Sequence, residues 1–306
     1  MVKQSIAALG FALMFHGLAQ AADAVTTATA SATTTNSDAD SDANLHTGTW
    51  AAQAQLGLIV TSGNTTTKSG NASLDLAHRM GRWTLSGGGA AIYASTGHYS
   101  TQQDTNAHLQ ADLALSKRTF WFSSARWDRN LFTGFAYQES IASGAGFKFM
   151  DSPATQLAGE LGVGYRIEKP ETLTIGPFGN VETRLRLPGA MVRDAVLQAG
   201  VNYSHSITDS TKVANTLLVQ YGASDTTTTD NLSLQVKVDA SLSLAVGMQL
   251  VNNTSPPAAS VSSPAGTFGA RHTDTVVTVN LIYALKNKDL SANSGTPVTV
   301  AGFNLP

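Results

Sequence analysis

One short charged segment has the residue types and the spacing that are most typical of a functional site. Residues 126–129 read Arg-Trp-Asp-Arg, and Glu139 follows ten residues later. In an extended strand, side chains two residues apart share a face, so Arg126 and Asp128 lie opposite Trp127. Guanidinium and carboxylate groups inside a pore select ions by charge, or they close the pore as a salt-bridge network. Arg126, Asp128, Arg129 and Glu139 are therefore the best functional candidates.

Isolated charges on other predicted strands extend this set. They lie within strands on faces made mostly of uncharged polar residues, which favours a ladder of charges facing a shared interior. The predicted lumen or constriction residues are Arg126, Asp128, Glu139, Glu160, Arg166, Asp112 and Lys237. Two interpretations stay open, a network that closes and stiffens the interior and a constriction that selects permeating solutes. The narrow space inside twelve strands favours the first.

The sequence gives little support for catalysis or metal binding. The chain has seven histidines and no cysteine, which excludes disulfides, thiolate metal sites and a cysteine nucleophile. No His-Glu-x-x-His and no paired His-x-His spacing occurs. We expect no enzyme activity, no metal and no cofactor.

The N-terminal region predicts export. Lys3, the apolar stretch at 6–15 and Ala19-Gln20-Ala21 have the order of a secretory signal peptide, which we place at 1–21. Residues 22–47 contain no aromatic residue and show no periodic pattern, which is typical of a disordered tether. Net charge is −2 and no long basic run occurs, so nucleic acid is not an expected partner.

Alternation with a period of two dominates the chain from residue 49 onward. In residues 232–239, for example, Leu232, Leu234 and Val236 alternate with Ser233 and Gln235. The pattern predicts twelve strands, at 49–60, 67–79, 82–95, 103–116, 119–130, 138–150, 154–168, 192–206, 211–222, 229–239, 241–252 and 273–286.

The connections between these strands differ systematically. Every second one is short, as at 80–82, and nearly all of the others are longer and polar, as in the SGNTTT segment at 62–67. Bacterial outer-membrane barrels have this asymmetry, with an even strand count, short periplasmic turns and longer external loops. We therefore predict an all-β fold, a closed antiparallel transmembrane barrel of about twelve strands over 48–286, followed by a C-terminal extension at 287–306. Residues 179–187 have strand character, but we interpret them as part of a long external loop, because a thirteenth barrel strand would give an odd count.

A soluble secreted sandwich is the structural alternative, since it also shows alternation and regular turns. The apolar faces here contain many Ala and Gly residues, and only 13% of residues are charged. Single charges in mid-strand fit a barrel interior better than the solvent face of a sandwich.

Aromatic residues lie near the predicted strand ends, as the aromatic girdles of a membrane barrel require. Their general preference for strands is the competing explanation. The predicted lipid-interface aromatics are Trp83, Trp121, Trp127, Tyr165, Tyr203 and Tyr283.

Several segments resemble a known family. The most specific are the SGNT motif at 62–65, the block formed by 126–129 and the FTGF segment at 132–135, and the closing NNTSPP and TDT at 252–257 and 273–275. Together they resemble the YdiY-like family of salt-induced outer-membrane proteins of Gram-negative bacteria, over roughly 48–286. The resemblance implies an outer-membrane β-barrel.

Two functions are consistent with these observations. One is a structural or stress-adaptation protein of the envelope with a narrow or plugged lumen, and the other is a narrow passive channel for small polar solutes or ions. In both cases we expect an outer-membrane location. The expected partners are outer-membrane lipid, lipopolysaccharide and the barrel-assembly machinery during biogenesis.

Overall fold

The structure is a computed structural model that describes residues 49–61, 67–96, 99–130, 135–178, 181–256, 261–263, 266–268, 272–286, 299–300 and 303–304. The predicted signal peptide and tether, and most of the predicted C-terminal extension, lie outside the described residues. Those three assignments stay predictions.

The described part of the chain is built from β-strands. They are β1 Thr49–Thr61, β2 Thr67–Met80, β3 Trp83–Thr96, β4 Tyr99–Ala114, β5 Thr119–Asn130, β6 Phe135–Asp151, β7 Thr155–Phe178, β8 Val181–Pro188, β9 Val192–Ser206, β10 Thr211–Gly222, β11 Thr226–Lys237, β12 Leu242–Asn253, β13 Val261–Ser263, β14 Gly266–Phe268, β15 Thr273–Lys286, β16 Thr299–Val300 and β17 Phe303–Asn304. Among the described residues, no helix is long and apolar enough to cross a membrane.

Twelve of these strands close into a ring. Each barrel strand pairs antiparallel with the barrel strands before and after it in the chain, and β1 pairs with β15, where Gln55 lies opposite Ile282. The pairing of β6 with β7, where Ser140 lies opposite Arg166, completes the circle. The ring leaves no free edge on these strands, which removes the unpaired N–H and C=O groups of an open sheet. The predicted twelve-stranded up-and-down barrel is confirmed.

The two ends of the barrel differ. One end, here the turn end, has the short connections 81–82, 115–118, 152–154, 207–210 and 238–241. Gly81 sits in the tightest of them with φ 57°, a left-handed conformation that glycine adopts without a steric penalty. The opposite end, here the loop end, carries the other connections, including the long segment 254–272.

The seventh connection is not the long loop that we expected. β7 continues for 24 residues beyond the turn at 152–154 and pairs with β8, with Glu171 opposite Pro188. Residues 181–188 are therefore a strand, but they form a hairpin with the end of β7 and do not enter the ring. The barrel count stays at twelve for this reason. Strands also replace much of the predicted loop around 96–102, since β4 begins at Tyr99.

The alternating faces of the strands separate polar from apolar residues. On β2, Leu74 and Leu76 are exposed outward while Asp75 between them is buried. On β11, Leu232 and Leu234 are exposed and Ser233 is buried. The outside of the barrel is thus apolar and the interior polar, the reverse of a water-soluble core.

Aromatic side chains form two bands on the outer face. Toward the turn end the exposed aromatics are Trp50, Trp83, Trp121, Phe147, Phe149 and Tyr283, and toward the loop end they are Tyr93, Tyr165 and Tyr221. Trp127 shares the outward face of β5 with Trp121, on the loop-end side, and Tyr203 lies on the outward face of β9 near the turn end. On β5, Trp121 and Trp127 are six residues apart in sequence, so about 20 Å of strand separates the two bands there.

Candidate constriction of the barrel lumen

Two cavities that share part of their lining lie along the lumen, one toward each end. The turn-end cavity has a volume of about 340 Å³ and is lined by Asp112, Lys148 and Glu160 among others. The loop-end cavity has a volume of about 100 Å³ and is lined by Asp104, Asp128 and Asp274 among others. Arg126 and Leu218 contribute to both cavities, so the boundary between the two cavities lies at their level.

Side chains from non-neighbouring strands meet at this boundary. The Gln220 Nε2 on β10 donates to the Ser140 Oγ on β6 at 3.1 Å, and to the Gln198 Oε1 on β9 at 3.0 Å. The Gln198 Nε2 donates to the Ser124 Oγ on β5 at 3.5 Å. We call Ser124, Ser140, Gln198 and Gln220 the glutamine layer. Because two strands separate the partners of each serine bond, the layer bridges the part of the interior between β5 and β6 on one side and β9 and β10 on the other.

Polar side chains also project inward from the opposite wall, formed by β1, β2 and β15. Gln53 and Gln55 on β1 point inward and are buried, as is Asp75 on β2. The Asn280 Nδ2 donates to the Gln55 Oε1 at 3.3 Å and ties β15 to β1. A third cavity, of about 170 Å³, lies beside these side chains and is lined by Asn71, Ile92 and Thr278 among others.

An ionic cluster occupies the loop end of the lumen. The Arg166 side chain is 2% exposed, and its guanidinium lies 3.1 Å from the Glu168 carboxylate, 3.9 Å from that of Asp194 and in direct contact with that of Asp225. The Arg166 Nη1 also donates to the Thr227 Oγ1 at 3.1 Å. We call Arg166, Glu168, Asp194 and Asp225 the arginine cluster.

Neutral donors complete this cluster. The Gln138 Nε2 donates to the Glu168 Oε1 at 2.7 Å, and the Asn253 Nδ2 donates to the Asp225 Oδ2 at 2.5 Å. The cluster joins β6, β7, β9, β12 and the turn between β10 and β11. A guanidinium with several fixed acceptors holds such a junction rigidly, because its planar donors constrain the geometry of each partner.

The structure brings some of the predicted lumen residues together. Arg126 and Asp128 point inward and their charged groups lie 3.6 Å apart. The Gln110 Nε2 donates to the Asp112 Oδ1 at 2.9 Å and to the Glu160 Oε1 at 3.1 Å, which links β4 to β7 across the lumen. The Arg166 side chain also points into the lumen, where its partners are those of the arginine cluster.

Two predicted positions fall elsewhere. Glu139 is exposed and pairs with Trp127 on β5 and Ile167 on β7, so the register places it on the outward series, although it also contributes to the lining of the loop-end cavity. Its assignment to the lumen stays a prediction. Its inward neighbour is Ser140. Lys237 lies opposite the inward Ser243, but it is exposed at the rim of the turn end.

Several residues of the constriction carry no charge, and the search for charged residues therefore missed them. Gln198 lies between Leu197 and Ala199, and Gln220 between Val219 and Tyr221, so each glutamine has apolar or aromatic neighbours in the chain. A glutamine on the polar face of such a strand was the available signal. Asp225 was missed because it lies in a turn.

The histidines show no shared site within the described residues. His78 stacks on Trp50 on the outer face, with ring centroids 3.9 Å apart, and His108 lies 3.8 Å from the Asp75 carboxylate inside the lumen. Across the described ranges, no group of three or more His, Cys, Asp or Glu residues is arranged to hold a metal ion.

Comparison with known proteins decides the family. A family model described as "Protein of unknown function, DUF481" matches residues 54–285, which includes nearly the whole ring. The chain belongs to this family. It is also 24% identical over 236 residues to the uncharacterized protein YdiY of Escherichia coli K12, covering 75% of this chain and 81% of that protein. The resemblance to YdiY-like proteins is thereby confirmed.

Solved structures of similar shape are more distant. The translocator domain of the autotransporter NalP from Neisseria meningitidis has a TM-score of 0.40 and 11% identity, covering 77% of this chain and 87% of that one. The COG4313 outer membrane channel from Pseudomonas putida F1 has a TM-score of 0.40 and 12% identity, covering 81% of this chain and 100% of that one. The NanC porin has a TM-score of 0.40 and 8% identity, with 78% and 99% coverage. Similarity at this level carries no argument about function, and the closed strand pairing is the evidence for the barrel.

Proposed function

We propose that the protein is a structural barrel of the bacterial outer membrane whose lumen is closed by its own side chains, and that it is not an enzyme. The glutamine layer carries this proposal, because it connects strands that are not neighbours and lies at the level where the two cavities meet. Chains of hydrogen bonds between fixed side chains stiffen an interior when every member has a partner.

The outer surface supports placement in a bilayer. Exposed large apolar side chains cover the strands between the two aromatic bands, and a closed ring pairs the backbone groups that lipid cannot hydrate. Outer-membrane lipid, lipopolysaccharide and the barrel-assembly machinery are the partners that such a barrel requires. Export through the signal peptide at 1–21 belongs to the same proposal.

Fractionation tests the location. Cells expressing the full-length chain are lysed, and their membranes are separated by density. The proposal expects the protein in the dense outer-membrane fraction, migrating as a compact species on an unheated gel and more slowly after boiling. Recovery in the soluble periplasm would contradict it.

A narrow passive channel is the second candidate. It is favoured by the two charged cavities, which meet at the level of Arg126 and Leu218. Swelling of proteoliposomes in small polar solutes tests this candidate. If they swell, exchange of Asp128 for Ala must change the preference between cations and anions, whereas in a closed barrel it lowers stability alone.

The stress-adaptation part of the proposal, a salt-induced role, is supported by the resemblance of the SGNT, 126–135 and 252–275 segments to the family. A deletion strain is compared with its complemented parent at low and high salt, and protein levels are measured in both conditions. The proposal expects a rise in protein level and a growth defect of the deletion strain at high salt. Equal growth and unchanged levels would remove this part.

A further inference from the structure

We propose that Arg129, Lys169 and Arg193 form a binding site for the phosphate groups of glycolipid headgroups in the outer leaflet. We call these three residues the basic patch. This inference rests on the proposed location in the outer membrane, and it assigns to a specific part of the barrel the contact with lipopolysaccharide.

The three cations lie on the outward face near the loop-end aromatic residues. Arg129 and Lys169 lie beyond Trp127 and Tyr165 toward the loop end, and Arg193 lies in the same cross-strand row as Trp127. Arg129 follows Trp127 by two residues on β5, and Lys169 follows Tyr165 by four residues on β7. Side chains two and four residues apart share one face of a strand, so both cations point outward with the aromatics. Arg193 on β9 lies opposite the outward Ile167.

The register places the cations close together. Tyr137 on β6 pairs with Lys169, and Trp127, two residues before Arg129, pairs with Glu139, two residues after Tyr137. Arg129 and Lys169 are thus two strands apart at nearly the same level, or about 10 Å between their backbones. Arg193 is on the strand next to Lys169 and lies opposite Ile167, two residues from Lys169. The patch is wide enough to contact more than one phosphate.

These cations differ from those of the lumen in having no partner among the described residues. Arg126, Lys148 and Arg166 each have a carboxylate within 4 Å. No such contact is found within the described part of the chain for the basic patch, and Arg129 and Arg193 are exposed. An outward cation just beyond an aromatic band lies at headgroup depth, where it needs an anionic partner from outside the chain.

Phosphate is the anion that best fits this arrangement. Guanidinium groups bind phosphate through two parallel donors, and a lysine adds a compact charge. Acyl chains of the same lipid would lie against the apolar surface below, formed by Val163, Leu161 and Ile141, all exposed outward. A soluble phosphate would gain the ionic contacts without this apolar contact.

Glu139 is the internal control, because it lies between Trp127 and Ile167 on the same outward surface. Its carboxylate repels a phosphate bound to the basic patch. Exchange of Glu139 for Gln removes that repulsion and keeps the shape of the side chain.

Lipid retention on the purified barrel tests the site. The protein is extracted from outer membranes of cells expressing the full-length chain, stripped of lipid in detergent and titrated with lipid A carrying both phosphates. The same titration uses lipid A without phosphates and, as a soluble competitor, inorganic phosphate. The variants are Arg129→Ala/Lys169→Ala/Arg193→Ala and Glu139→Gln, and Lys117→Ala/Arg118→Ala/Lys237→Ala removes three charges at the turn end as a matched control.

Loss of the basic patch is expected to weaken binding of phosphorylated lipid A on the order of 100-fold, at about 1 kcal/mol per cation. Binding by Glu139→Gln should be tighter than wild type, and the turn-end control should bind as wild type does. Inorganic phosphate should compete only weakly. The lipid assignment would be overturned if inorganic phosphate competed as strongly as phosphorylated lipid A itself. It would also be overturned if the wild type bound lipid A with and without phosphates equally well.

Each variant must first migrate as a folded barrel on an unheated gel, so that a misfolded variant is recognised and replaced by Arg129→Gln/Lys169→Gln/Arg193→Gln. Unchanged binding by folded patch variants would overturn the site while leaving the outer-membrane location intact. Absence of the protein from the outer-membrane fraction would instead refute the proposed function on which the inference rests.

Discussion

The Gln220 side chain on β10 donates a hydrogen bond to the Ser140 hydroxyl on β6 at 3.1 Å, across the interior of the barrel. The same amide donates to Gln198 at 3.0 Å, so one glutamine joins three strands. These hydrogen bonds lie at the level where the loop-end cavity meets the turn-end cavity, and Arg126 and Leu218 line both.

Thiol labelling tests whether the two cavities are separate, since the chain has no cysteine of its own. Asn106→Cys lies in the loop-end cavity and Thr216→Cys in the turn-end cavity. In intact cells, a thiol reagent that cannot cross the outer membrane should label the first variant and leave the second unlabelled. Both should be labelled after disruption of the membrane. Rapid labelling of the Thr216→Cys variant in intact cells would show an open lumen.

Exchange of Arg166 for Met should destabilise the barrel strongly. The arginine is 2% exposed, and its loss leaves the carboxylates of Glu168 and Asp225 buried without their cation. Breaking a buried ion pair from one side costs about 3–5 kcal/mol. Urea titration of the free energy of unfolding in lipid vesicles measures the effect. Arg118→Met, in an exposed turn, is the control and should change stability by less than about 0.5 kcal/mol.

A pair of valine substitutions tests whether the outward face contacts lipid. Val246 in the middle of β12 and Val238 in a turn are both exposed, at 47% and 67%. In a bilayer, Val246→Arg should cost about 2–4 kcal/mol and Val238→Arg about 0–1 kcal/mol, because the penalty depends on depth. The free energy of unfolding in vesicles is measured for both. Equal small costs would show that the outward face meets water.

Gly144 should not tolerate a methyl group. A Cβ at this position would lie 2.2 Å from the carbonyl oxygen of Leu161 on the next strand, which the backbone pairing holds in place. Gly144→Ala should therefore destabilise the barrel by about 1–3 kcal/mol. At Gly70 the nearest atom would be 3.7 Å away, so Gly70→Ala should be neutral or slightly stabilising. The comparison is made by the same urea titration, and equal effects would contradict the packing described for β6 and β7.

The barrel itself could be predicted because its determinants are local. Period-two alternation marks each strand, and the short turns are visible as segments such as Ser116–Arg118. The faces of β5 were predicted correctly for the same reason, with Arg126 inward and Trp127 outward. The β7–β8 hairpin was missed, because pairing outside the ring leaves the same local signal as pairing within it.

The site could be predicted only in part, since it depends on contacts between distant strands. The neighbouring charges Arg126 and Asp128 share a face on one strand, which the sequence shows directly. The face of Glu139 could not be read from the sequence, because it depends on where β6 begins after the segment 131–134, and shifting a strand by one residue reverses every side chain. Arg166 and Asp225 are 59 residues apart in the chain, and Ser140 and Gln220 are 80 residues apart, so no local pattern encodes these contacts.

Single-channel conductance tests the closed lumen most directly. The protein purified from outer membranes is added to a planar bilayer, in parallel with Gln198→Ala/Gln220→Ala and with Gln249→Ala. The latter removes a lumen glutamine whose side chain donates a hydrogen bond to Asn231 on the adjacent strand. We expect silence from wild type and from Gln249→Ala, and discrete steps from the double variant, whose glutamine layer is gone. Reproducible steps from wild type would contradict the closed barrel and establish the channel instead.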